Sequence, residues 1–200
     1  MTTRQPTSAH FDAVVEEVRA LPIRPEIEVT AGPGRAKLAP FGLTLTAAVA
    51  VADHECGDGK LLILHDPAGQ ESWRGTWRVA LFASAELDQE MVGDPLLVEI
   101  GWTWVEEALG GRDLAVAAFG GTVTRTASQS FGVLADRPTT GELEIRASWT
   151  PVVDAPHPQL GERSVPGVVR EHVAAWLDLL ELITGLEPYP EGVAQLRPRT

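Results

Sequence analysis

The sequence predicts an α+β domain: an antiparallel sheet of about five strands with three helices, in the order α-β-β-β-α-β-β-α. Three observations carry this. Strand-like alternation comes in two runs, 41–83 and 122–150, whose short Gly-, Pro- and Asp-containing links make antiparallel meanders. Amphipathic helical stretches precede, separate and follow those runs. The cleanest strand, Glu142–Thr150, sends Leu143, Ile145, Ala147 and Trp149 one way and Glu142, Glu144, Arg146, Ser148 and Thr150 the other. That pattern belongs to a sheet with one covered face and one face in water.

Residues 1–7 read as a loose terminus, 8–186 as the domain, and 187–200 as a flexible proline-rich tail. From Ser8 to Leu21, Phe11, Val14, Val15, Val18 and Leu21 oppose Asp12, Glu16, Glu17 and Arg19, a helix that Pro22 ends. Ala31–Pro40 reads as loop. Phe41–Ala52 is a strand with Leu43, Leu45, Ala47, Val49 and Val51 on one face and Thr44 and Thr46 on the other. Cys56-Gly57-Asp58-Gly59 reads as a turn, Leu61–His65 as a short strand, and Asp66-Pro67-Ala68-Gly69 as a second turn. Thr76–Ala83 alternates Trp77, Val79 and Leu81 against Arg78, Ala80 and Phe82.

The central helix spans Asp94–Gly111, with Asp94 as cap, Pro95 at the first turn and a glycine pair at the end. Its apolar residues cover an arc of roughly 200°, whereas a helix on one sheet needs only about 100°. This surplus predicts a dimer contact through Leu97, Gly101, Trp104, Val105 and Ala108. On that reading Trp104→Glu or Val105→Glu yields a soluble monomer.

Thr122–Leu134 reads as a Thr-rich strand with a bulge near Phe131 and Gly132. Asp136–Gly141 is a turn and Pro151–Ser164 a loop. Val165–Thr184 is the best amphipathic helix, with Val169, Val173, Trp176, Leu180 and Ile183 in one stripe and Gly185 closing it.

Bulk properties narrow the function classes. The net charge of −12 disfavours nucleic acid and anionic membrane as ligands and favours basic partners. A lone cysteine, Cys56, excludes an internal disulfide. No apolar run approaches the roughly 18 residues of a membrane span. The first ten residues lack a signal-peptide core, so a cytoplasmic location is expected.

Few residues suggest chemistry. Asp53-His54-Glu55-Cys56, with His65 and Asp66 beyond, offers metal-ligand types. A hairpin would hold the two histidines about 16 Å apart, so a polar hairpin tip is the ordinary reading and no metal or cofactor is expected. His172 falls in an apolar stripe and reads as a core histidine; His157 sits on a loop with no evident partner, and His10 lies at the first helix. Trp73-Arg74-Gly75-Thr76-Trp77-Arg78 is more suggestive. With Thr44, Thr46, Arg125 and Arg146 it could form a cationic groove for a flat or acidic ligand. The plainer reading places the tryptophans in the core and the arginines beside Glu142 and Glu144. No Gly-x-Ser-x-Gly elbow, phosphate-binding loop or dinucleotide fingerprint occurs, and no catalytic residue emerges.

Four segments carry a resemblance: Trp77–Phe82, Gly101-Trp102-Thr103-Trp104, Ser130-Phe131-Gly132 and Ala147-Ser148-Trp149-Thr150. Together they resemble an uncharacterised actinobacterial family, a domain of unknown function about as long as this chain. That resemblance implies no activity. Its members' genes lie near a ribonuclease-D-like exonuclease and a porphyrin-pathway decarboxylase. The element order is similar to class I type III secretion chaperones, which are small, acidic, often dimeric and non-enzymatic, with the middle helix at the dimer contact. The expected function is therefore protein binding by a homodimer, chaperone-like or adaptor. A small-molecule or nucleotide-binding domain is the alternative, and an accessory subunit of an RNA-processing enzyme is a third reading.

Overall fold

A computed structural model describes residues 9–34, 37–153 and 164–187. The expected loose N-terminus, most of the proline-rich tail and His157 lie outside these residues. Six strands form one antiparallel sheet: β1 (Ile27–Pro33), β2 (Phe41–Val51), β3 (His54–Gln70), β4 (Gly75–Leu87), β5 (Val116–Ser128) and β6 (Thr140–Pro151). Their order across the sheet is β1-β2-β3-β4-β6-β5. Helices α1 (Ala9–Arg19), α3 (Leu97–Gly110) and α4 (Val165–Ile183) pack on one face, and α2 (Gln89–Val92) is a single turn before α3. The α+β class and the antiparallel sheet agree with the sequence reading. The sheet gains β1 at one edge.

The strand alternation decides what is covered. Leu43, Leu45, Ala47 and Val49 of β2, Leu61 and Ile63 of β3, Val79, Leu81, Ala83 and Ala85 of β4, and Leu143, Ile145, Ala147 and Trp149 of β6 are buried. Val169, Val173, Trp176, Leu180 and Ile183 of α4 join them in one core. Phe11 of α1 seats near Phe41 and Trp77, with ring centroids 5.8 and 6.1 Å away. The opposite face carries Thr46, Lys60, Phe82, Arg146 and Thr122 in one cross-strand row, and Ala48, Asp58, Ser84, Glu144 and Thr124 in the next.

Several boundaries differ from the sequence reading, each for a local reason. The β2–β3 hairpin turns at Ala52 and Asp53, whose φ angles of 50° and 64° suit a tight two-residue turn. Cys56–Gly59 is therefore strand. Its glycines make room for α4: a Cβ on Gly59 would sit 2.8 Å from Leu180 and 3.1 Å from Trp176. At α3 the side chain of Asp94 accepts the amide of Leu96 at 2.9 Å, and the helix begins at Leu97. β5 begins earlier than expected and ends at Ser128; its irregularity lies at Ala117–Gly120, where Ala118 has φ 47°. Gly132, with φ 64°, opens a short 3-10 turn in the β5–β6 loop.

Candidate functional site

The Trp/Arg residues divide between the two faces of the sheet. Trp77 is buried on the covered face, stacked 4.1 Å from His65. Arg78, its neighbour in β4, points to the other face and donates to the carbonyl of Ala118 at 2.9 Å and to Ser148 Oγ at 2.6 Å. Trp73 is half-buried in a 3-10 turn, where its carbonyl accepts Thr150 Oγ1 at 2.5 Å. Arg74 is exposed, with φ 57°. Arg125 sits on the covered side, where it donates to the carbonyl of Asp94. Arg146 lies on the open face beside Glu144, 5.3 Å over the ring of Phe82. Only Arg78 and Arg146 share the open face, on β4 and β6. Phe82 pairs with Arg146, so Arg78 lies four residues, about 13 Å, along the strand from that position. The six side chains line no common groove.

The residues expected at a helix-mediated contact lie mostly inside the chain. Leu97, Gly101, Val105 and Ala108 are buried, and a Cβ on Gly101 would meet Val123 at 3.0 Å and Leu143 at 3.5 Å. Trp104 is half-buried against the same core. The sheet and α4 thus cover most of the apolar surplus on α3. What it leaves to solvent is Leu96 at 56%, Val98 at 38% and Ile100 at 36%.

A larger apolar display comes from the β5–β6 loop. Phe131 is 75% exposed, Val133 100% and Leu134 42%. The loop holds itself together: the amides of Leu134, Ala135 and Arg137 donate to the carbonyls of Phe131, Gly132 and Leu134 at 3.0–3.3 Å. It springs from the end of the sheet where α3 begins, since Gly141 lies against Val92 of α2 and Arg125 bonds the carbonyl of Asp94. These three residues escaped the sequence reading, which placed them in a strand. Gly132 and the following Asp136-Arg137-Pro138 were the available signal.

The same end of the sheet holds a polar cleft lined by Glu55, Asp58, Ser84, Glu86 and Glu142. Ser84 Oγ donates to Asp58 at 2.5 Å, and His54 meets Glu86 at 3.1 Å in solvent. Cys56 is half-buried with its sulfur toward the carbonyl of Val49, and burial pushes its thiol up, away from reactivity. His54 and His65 lie apart: His54 pairs with Val51 beside the turn, and His65 with Phe41 and Trp77 at the other end of the hairpin. His65 Nδ1 donates to the carbonyl of Thr76 at 3.1 Å, and burial holds its pKa below the usual histidine value. His172 is a fully buried core residue whose Nδ1 accepts the indole N–H of Trp149. Among the described residues no group of three or more His, Cys, Asp or Glu side chains is placed to hold a metal ion, and no helix is long and apolar enough to cross a membrane.

No curated protein and no solved structure matches the chain. A family model does, over residues 7–194, which takes in every element of the fold and the loop described above. The chain belongs to the family described as protein of unknown function, DUF3000.

Proposed function

We propose that this domain binds another protein through its β5–β6 loop, without catalysis of its own. One observation carries the reading. Phe131, Val133 and Leu134 stand together in solvent on a loop braced by its own hydrogen bonds. Burying such side chains in a partner contributes about 1.5–3 kcal/mol each, and an ordered loop loses little conformational freedom on binding. The surroundings favour a protein over a lipid surface. Glu99 is exposed in the first turn of α3, and the nearby cleft carries four carboxylates. The chain's net charge of −12 opposes an anionic membrane. The partner therefore offers an apolar pocket in a neutral or basic surround.

A photo-crosslinking residue at position 133, compared with one at the exposed Thr103, tests this in cells of the source organism. The proposal expects a discrete adduct from position 133 that Phe131→Ser abolishes. Equal or absent labelling at both positions overturns it.

A further inference from the structure

We infer that two copies of this chain join through β5, strand against strand and antiparallel, which extends the sheet across a two-fold axis. This pairing is independent of the loop contact proposed above. The two edges of the sheet are unlike. β1 is seven residues long, carries Glu28 and ends on Pro33, features that discourage strand addition. β5 is 13 residues long and contains neither proline nor an acidic residue. From Gly120 to Ser128 its pairing with β6 is unbroken. Alternate amides and carbonyls along that run face outward. Thr122, Thr124, Thr126, Ala127 and Ser128 are exposed there. The one charged side chain, Arg125, is turned back to the carbonyl of Asp94.

The sequence of the strand itself points to a second copy as the occupant. In a protein of net charge −12 most faces of two copies repel. β5 contains no acidic residue, so this strand brings no carboxylate of its own against a second copy. The strand is also complementary to itself. Antiparallel pairing centred on Val123 sets Thr122 opposite Thr124 of the partner subunit and Arg125 opposite Gly121 of the partner subunit. Threonine pairs favour a sheet, and no arginine faces an arginine. The homodimer expected from the sequence thus forms at the sheet edge, while the middle helix stays on its own core.

Light scattering on the full chain across a concentration series tests the pairing. The expected mass is twice the 21.5 kDa of one chain. Two double variants, Thr122→Glu with Thr124→Glu and Thr122→Lys with Thr124→Lys, place like charges opposite one another. Each is expected to dissociate at a concentration at least about ten-fold higher, and an equimolar mixture of the two to restore the dimer. A native protein that stays monomeric overturns the inference. So does a charged variant as dimeric as the parent, or a mixture that stays monomeric. Should the variants fold poorly by circular dichroism, hydrogen exchange on the native chain decides. Concentration-dependent protection of the amides from 121 to 128 supports the pairing, and unchanged exchange there refutes it.

Discussion

Trp149 donates its indole N–H to Nδ1 of His172 across 3.1 Å, with both side chains buried in the core. The bond joins β6 to α4 and sets the tautomer, because a nitrogen that accepts carries no proton. Replacing Trp149 by Phe removes the donor and strands a buried acceptor. The expected loss is about 2–4 kcal/mol, from the unsatisfied nitrogen and the smaller ring. Adding His172→Leu to Trp149→Phe should restore part of it, since the apolar pair leaves no orphan. Urea denaturation of the two single variants, Trp149→Phe and His172→Leu, and of the double variant measures both. A double variant weaker than the sum of the two singles would show the bond is not what couples the pair.

Arg112 fastens the end of α3 to α4 with a two-pronged contact: Nε to Asp178 Oδ2 at 2.5 Å and Nη2 to Asp178 Oδ1 at 2.8 Å. Its Nη1 reaches Glu171 at 2.8 Å, and these carboxylates raise its affinity for the proton. Lysine keeps the charge and loses the fork. Arg112→Lys should therefore cost about 1 kcal/mol, and Arg112→Leu slightly more, with both effects shrinking in high salt because the site is part-exposed. Thermal melts at two salt concentrations read this out.

His65 gives stability a pH dependence with a definite sign. Burial lowers its folded pKa below the ordinary histidine value of about 6.5. Below that value the unfolded chain takes up a proton before the folded one does, so stability falls as pH drops through about 6.5 toward the folded pKa. Above it both states are neutral and the effect vanishes. His65→Phe removes the titration and keeps a ring to stack on Trp77, so the variant's stability should be flatter between pH 7 and 5. Guanidinium unfolding at several pH values checks this, and parallel curves for the two proteins would remove His65 as the source.

Much of the fold was legible because a strand with one wet face alternates plainly. β2, β4 and β6 are read that way, and α1 and α4 by their stripes. β1 was missed because only Ile27 of its seven residues is buried and glycine and proline end it. Gly57 and Gly59 looked like a turn, although they are the space into which Thr184, Trp176 and Leu180 fit. That need is set by a helix over a hundred residues away. Ala52 carries no turn signal, yet adopts φ 50° because the hairpin requires it. At the site, one error was avoidable from the sequence. Trp77 and Arg78 are adjacent in a strand, so they face opposite sides and cannot line one groove. The apolar loop was harder: Phe131 and Val133 alternate as a strand would, and against that pattern stood Gly132 and Asp136-Arg137-Pro138, while β5 ends at Ser128.

Val105 and Val133 make the sharpest contrast between the surface expected for association and the one the structure exposes. Val105 is 1% exposed and Val133 fully exposed. Were Val105 an interface residue, Val105→Glu would give a soluble, folded monomer. Here the carboxylate would enter the apolar core between α3 and the sheet, a loss of at least about 4 kcal/mol and a chain that aggregates or unfolds. Val133→Glu should stay within about 0.5 kcal/mol of the parent, because that side chain is fully exposed. Circular dichroism melts of the two variants, made side by side, separate the alternatives. A cooperative, parent-like melt for Val105→Glu would return α3 to the list of contact surfaces, and a collapse of Val133→Glu would show that the loop supports the fold.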